Sequence, residues 1–138
     1  MSAIDAVGEF LAGIENAGLP EGVFCEDVVL DATVPNWRFR VRGAEAVRAQ
    51  LAKWYADPGH FEELTRSGTD SGELVEFTLS WTEDGVPHSC HQAHLIRLRD
   101  RRIATDTVFC GGRWPAALLA EMEAARRQAE QGAAPPGG

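Results

Sequence analysis

Two side chains capable of acid/base chemistry, His94 and Asp106, lie in the most regularly alternating part of this sequence. The stretch from Val86 to Cys110, VPHSCHQAHLIRLRDRRIATDTVFC, reads as two antiparallel strands joined by a polar turn at Arg99-Asp100-Arg101-Arg102. On the first strand His94 falls in phase with Ile96 and Leu98. On the second, Asp106 falls in phase with Ala104, Val108 and Cys110. Polar groups on a buried face are costly unless they are paired or put to use. An imidazole with a pKa near its ordinary value of about 6.5 can shuttle a proton or donate to a developing oxyanion. Asp106 could hold one tautomer of His94 or act as the acid/base itself, whereas a one-residue slip in register would turn it to solvent. Asp31, between Leu30 and Ala32, is the third candidate. Facing an apolar pocket it would have a raised pKa and serve as a base near neutrality; facing out it would only hydrogen-bond a nearby backbone N–H. Gln92, in phase with His94, offers one more hydrogen bond inside.

The run HSCHQAH invites a metal reading that the strand periodicity argues against. His88 and His94 share one face of a strand while His91 points to the other, and a metal wants further ligands on one face. We expect no metal and no cofactor. Phe10, Trp37, Trp54, Trp81 and Trp114 are candidates for binding a planar ligand, Trp37 and Trp114 because they fall in irregular stretches where a ring could stack at a pocket mouth. Cys90 and Cys110 read as small buried hydrophobes, since nothing basic beside them marks an activated thiol.

The elements that must position these residues follow in order. Residues 3–17 read as an amphipathic helix with Ile4, Val7, Phe10, Leu11 and Ile14 on one side, Ser2 as its N-cap and Gly18 as its stop. Residues 27–34 read as a strand, broken by Pro35-Asn36, with Trp37 to Val41 extended behind it. Residues 44–56 form a second helix with Val47, Leu51, Trp54 and Tyr55 as its apolar face, ended by Asp57-Pro58-Gly59. Extended segments follow at 61–68 and 73–83, the latter with Val75, Phe77, Leu79 and Trp81 inward. Asp84-Gly85 is a hairpin turn. A third helix begins at Trp114-Pro115 and fades into QGAAPPGG. Residues 1–114 are thus expected to be a pocket domain, 115–131 a C-terminal helix and 132–138 a disordered tail. Helices first and a run of strands after them suggest an α+β fold.

The chain has 138 residues, enough for one core. A net charge of -8 argues against nucleic acid and against an anionic membrane surface. Three cysteines, odd in number and widely spaced, indicate no disulfide framework; with no leader-like or membrane-spanning run, the cytoplasm is the expected compartment.

The segment VFCEDVVLDATVPNWRFRVRGAEAVRAQL, followed by a hairpin ending LIRLRDRRIATDTVFC, resembles the nuclear transport factor 2-like superfamily. More closely it is similar to the SnoaL-like and ketosteroid-isomerase-like branch, over about residues 3–114. The resemblance implies a curved antiparallel sheet forming a cone, closed over a pocket by the N-terminal helices. It puts Asp31 where the isomerases keep a general base and His94 where they keep an acid that donates to an oxyanion. Phe10 takes the place of their tyrosine, which removes a hydroxyl donor and argues against steroid isomerase activity itself. Asp106 matches a last-strand aspartate of SnoaL-type polyketide cyclases.

The reading that follows is a cofactor-independent enzyme, an isomerase, cyclase or lyase of dehydratase type, working by acid/base chemistry on a small apolar or polycyclic carbonyl compound. Epoxide hydrolysis is an alternative, needing two inward aspartates. The similar limonene-epoxide hydrolases add an inward arginine, whereas Arg97 and Arg99 here fall opposite His94. The other class is a binding module without chemistry. In either class a homodimer through the outer sheet face, where Ser89, Ala93 and Leu95 alternate, is expected.

Overall fold

The computed structural model describes residues 5–132. Its fold is α+β: three helices and a curved, open sheet of seven strands. The order is α1 (Ala6–Glu15), β1 (Phe24–Val34), β2 (Trp37–Arg42), α2 (Ala44–Trp54), β3 (Gly59–Gly68), β4 (Gly72–Glu83), β5 (Val86–Arg99), β6 (Arg102–Cys110), β7 (Trp114–Pro115) and α3 (Ala116–Glu130). The strands run β2-β1-β6-β5-β4-β3 across the sheet, with the short β7 added to β5.

Two features depart from the expected all-antiparallel sheet. β1 and β6 pair in parallel, so the sheet is mixed. This pairing joins strands that are far apart in sequence, and α2 and the β3–β5 meander make the crossover between them. In addition, the register shifts between β5 and β6 beside Arg97 and Leu98. Strict alternation would put Ile103 and Asp106 on opposite faces. The irregularity at Ala104 lets both face the core, and both are fully buried.

The inner face carries Leu30, Ala32, Val75, Phe77, Leu79, Ile96, Ile103 and Val108, all buried. α1 closes it with Val7, Phe10, Leu11 and Ile14, and α2 with Val47 and Leu51. The helix-capping residue differs from the expected Ser2, which lies outside the described residues. Asp5 caps α1, its carboxylate accepting from the Gly8 N–H at 2.9 Å. The same carboxylate binds Arg66 of β3 at 2.9 Å, and Arg66 binds Glu73 of β4, so α1 is pinned to the sheet edge it covers. Ala17, not Gly18, takes the left-handed conformation after α1 (φ 53). Gly72 is dictated by packing, because a Cβ there would sit 1.9 Å from the Ile96 carbonyl oxygen. Trp114-Pro115, expected to start the last helix, instead pairs with His88 and Ser89 as β7. α3 buries none of its residues. The expected disordered tail falls, apart from Gly132, outside the described residues.

The β4–β5 and β5–β6 hairpins each turn through two consecutive left-handed residues, Asp84 and Gly85 (φ 51 and 77) and then Asp100 and Arg101 (φ 53 and 65). Asp and Gly tolerate that conformation, while an arginine is strained there by roughly 1–2 kcal/mol. Arg101→Gly is therefore expected to stabilise the protein by about 1 kcal/mol, read as a rise in the urea midpoint at unchanged slope.

Candidate functional site

His94 enters the core because it shares the inner face of β5 with Ile96, and its register partners Val75 and Val108 are themselves fully buried. Its ring centroid lies 5.3 Å from that of Phe77 in a stacked arrangement and 5.8 Å from that of Phe10 in a T-shaped one. In those apolar walls each ring nitrogen requires a partner. Nδ1 meets both carboxylate oxygens of Asp106, at 2.9 and 3.0 Å. Nε2 meets the side-chain oxygen of Gln92 at 3.0 Å. His94 and Asp106 are both 0% exposed.

The remaining member is Tyr55, at the C-terminal end of α2. Its hydroxyl donates to the same Gln92 oxygen at 2.5 Å and lies 3.4 Å from His94 Nε2. The Gln92 amide nitrogen points the other way, donating to Cys110 Sγ at 3.3 Å. In that orientation the Gln92 oxygen accepts from Tyr55 O–H and from His94 Nε2–H. Two donors thus converge on one oxygen, with a buried carboxylate behind one of them. This is the geometry that stabilises negative charge developing on a substrate oxygen.

Sequence reasoning placed Tyr55 on the apolar face of α2 and assigned it no chemistry. The missed signal was its hydroxyl: four residues after Leu51 and eight after Val47, it had to be buried and therefore had to find a partner. Burial, followed by the nearby Cys90, Asp106 and Cys110, holds the Tyr55 hydroxyl well above its ordinary pKa. Burial likewise pushes the Cys90 thiol up to about 12, in keeping with an inert thiol.

The other expected site residues are placed differently. Asp31 is on the opposite face of the sheet. It is out of phase with Leu30 and Ala32, both fully buried, and its carboxylate is clamped by Arg38 at 2.8 Å and Arg40 at 3.2 Å. The hydrogen bond from Arg38 lowers its pKa, contrary to what a base near neutrality needs. The two inward aspartates required for epoxide hydrolysis are consequently not assembled. Phe10 packs against His94 inside the core. Trp81 is buried under the Arg113 guanidinium, which lies 4.7 Å from its ring centroid. Trp37 is 69% exposed, and Trp114 turns to the outer face. Only Trp54 and Gln92 of the proposed ligand contacts line a shared cavity. That cavity, of about 290 Å³, is bounded by Val34, Pro35, Trp54, Gln92, Cys110, Gly112 and Arg113. It reaches the Gln92 amide, and through it the buried pair. His91 lies on the outer face, its nitrogens 2.8 Å from Thr78 and 2.7 Å from Glu76. Among the described residues no group of three or more His, Cys, Asp or Glu side chains could hold a metal, and no helix is long and apolar enough to cross a membrane.

No family model matches the chain, and no curated protein matches it in sequence. Solved structures do match. An NTF2-like protein from Anabaena variabilis ATCC 29413 superposes with a TM-score of 0.68 at 13% identity, over 78% of this chain and 84% of the other. A candidate isomerase from Rhodopseudomonas palustris superposes with a TM-score of 0.62 at 14% identity, over 90% and 99%. A candidate polyketide cyclase from Pseudomonas putida KT2440 gives 0.60 at 18% identity, over 78% and 90%. The chain therefore has the nuclear transport factor 2-like fold, the architecture shared by these isomerase-like and cyclase-like neighbours. Proteins on one scaffold differ in chemistry, so the fold by itself assigns no reaction.

Tyr55 is the sole tyrosine, so tyrosinate absorbance reports on it alone. A tyrosine in the unfolded chain ionises near pH 10, and the folded value lies above that. The folded state then holds the proton more tightly, so stability is full below pH 10 and falls as pH rises past it. We expect no tyrosinate signal in the native protein at pH 10, with the signal appearing only together with alkaline unfolding seen by circular dichroism.

Proposed function

We propose that this protein is a cofactor-independent enzyme that activates the carbonyl group of a small, largely apolar molecule. Tyr55 and His94 are its oxygen-binding donors, and Asp106 is the residue that holds His94 in its donating form. The observation that carries this reading is the convergence of Tyr55 O–H and His94 Nε2–H on one oxygen position at 2.5 and 3.0 Å. A neutral tyrosine and an imidazole backed by a carboxylate cost little to reorganise once buried, which is what makes such donors effective. Reactions that build negative charge on a carbonyl oxygen fit the site: isomerisation through an enolate, aldol-type cyclisation or elimination. The cyclase-like and isomerase-like neighbours of the same fold support that range. The mouth cavity of about 290 Å³ falls just below the roughly 300–1,000 Å³ range of ligand pockets, which favours a monocyclic over a polycyclic ligand. The free thiols of Cys25, Cys90 and Cys110 agree with a reducing compartment such as the cytoplasm.

The test is exchange of α-protons of small cyclic ketones in D2O, followed by NMR, with deuteroxide or buffer base taking the α-proton while the two donors hold the enolate oxygen. The unaltered protein is expected to accelerate exchange. Tyr55→Phe should lower the rate by about 10²–10³-fold, the usual cost of removing one oxyanion donor. A folded Tyr55→Phe protein that exchanges as fast as the unaltered one would sink this reading.

We further propose that the outer sheet face pairs with a second copy of the chain, whether or not the pocket is catalytic. The observation favouring it is a groove of about 500 Å³ on that face, lined by Ala93, Phe109 and Trp114 among others. Phe109 is 54% and Leu74 43% exposed there, an apolar surface that a monomer leaves uncovered. Sedimentation should give the mass of two chains, and Phe109→Asp should reduce it to one. A single-chain mass for the unaltered protein would remove the proposal.

A further inference from the structure

We infer that Gln92 is a built-in plug: its side-chain oxygen occupies the place of the substrate's oxygen, and a ligand binds by displacing it. This inference rests on the two-donor reading of Tyr55 and His94. The Gln92 oxygen is a neutral amide carbonyl, of the same chemical kind as the carbonyl those donors would polarise, and it takes both of their hydrogen bonds. In the present arrangement His94 and Tyr55 are buried, 0% and 5% exposed, and each directs a polar atom at Gln92. Gln92 hydrogen-bonds both of them and lines that cavity beside Trp54, which packs on the Tyr55 ring, so its amide stands between their polar atoms and the mouth.

The opposite end of the amide is held weakly. Its nitrogen donates to Cys110 Sγ at 3.3 Å, and sulfur is a poor acceptor. Cys110 also lines the cavity. Rotation of Gln92 about its side-chain bonds, toward the space in front of Cys110, exchanges one carbonyl oxygen for another at Tyr55 and His94. The displaced amide N–H groups then face the ligand. A closed protein keeps its buried donors satisfied, which an empty apolar cavity would not do. The ligand class that follows is a planar molecule bearing one strongly accepting oxygen, a carbonyl or a phenolate, at the edge of a single ring. A phenolate is the better reporter, because two convergent donors favour its ionised form.

The probe is 4-nitrophenol, whose phenolate is coloured, titrated against the unaltered chain, Gln92→Ala and Gln92→Ser. Removing the plug abolishes the cost of displacing it, so both variants should bind the phenolate about tenfold or more tightly than the unaltered chain. Adding Tyr55→Phe to Gln92→Ala should cancel that gain. Equal affinity for the unaltered chain and the variants, all lost with Tyr55→Phe, would overturn the plug while leaving the two-donor site standing. Absence of any Tyr55-dependent binding in the folded proteins would overturn both. Should neither variant fold, the Gln92 side-chain amide resonance of the unaltered chain is the measurement. Saturating 4-nitrophenol should shift it; an unmoved resonance on saturation refutes displacement.

Discussion

A carboxylate and an imidazole sit in the driest part of this protein, and the rest of the interior is arranged so that they can. Among the described residues the Asp106 carboxylate has one side-chain partner, His94 Nδ1. Leaving either group alone there would cost several kcal/mol. The pair is affordable only because each remaining polar atom is also met: His94 Nε2 by Gln92, the Gln92 oxygen by Tyr55, and the Gln92 nitrogen by Cys110. Among the described residues the one buried side-chain nitrogen or oxygen without a partner is Nε of Arg48, far from this network in its contacts with Leu19 and Glu21.

That requirement links elements that sequence distance separates. β5 carries Gln92 and His94, β6 carries Asp106 and Cys110, and the end of α2 carries Tyr55. The β5–β6 hairpin fixes the first four on one face, with Cys110 opposite Gln92 and Asp106 opposite Ile96, the residue two beyond His94. Tyr55 reaches them only if α2 lies across the sheet, which the packing of Val47 and Leu51 on the inner face ensures. α1 adds Phe10 as the apolar wall on His94, and the Asp5–Arg66–Glu73 ion pairs hold α1 to the edge strands. Such a network, fully satisfied, specifies one arrangement of the core more sharply than apolar packing alone.

The two faces of the sheet divide the labour. The inner face holds the converging donors and opens to solvent through Gln92 and the small cavity beside Trp54. The outer face holds the salt-bridged Asp31, the Thr78–His91–Glu76 contacts and the exposed Phe109. Solvent-exposed ion pairs outside and water-excluded hydrogen-bond donors inside match what a carbonyl-activating site needs, since charge is stabilised best where water is excluded.

Much of this was legible in the order of residues. The α+β class, the inward sets Val75-Phe77-Leu79-Trp81 and His94-Ile96, and the hairpin turns at Asp84-Gly85 and Arg99–Arg102 follow from period-two alternation and turn chemistry, which are local properties. Asp31 could have been assigned to the outer face on the same grounds, because it alternates against Val28, Leu30 and Ala32. The resemblance to an active-site position prevailed over that phase. Other features were not in the sequence by itself. Periodicity gives the relative phase of residues along one strand, but neither which strands become neighbours nor where a bulge resets the phase. The parallel β1–β6 pair and the irregularity at Ala104, which turns Ile103 and Asp106 to the same side, are decided by closing the whole sheet around its core. Tyr55 is the plainest case. Its burial was written into α2, but the partner for its hydroxyl lies 37 residues away on β5, and only the tertiary fold brings that oxygen within reach.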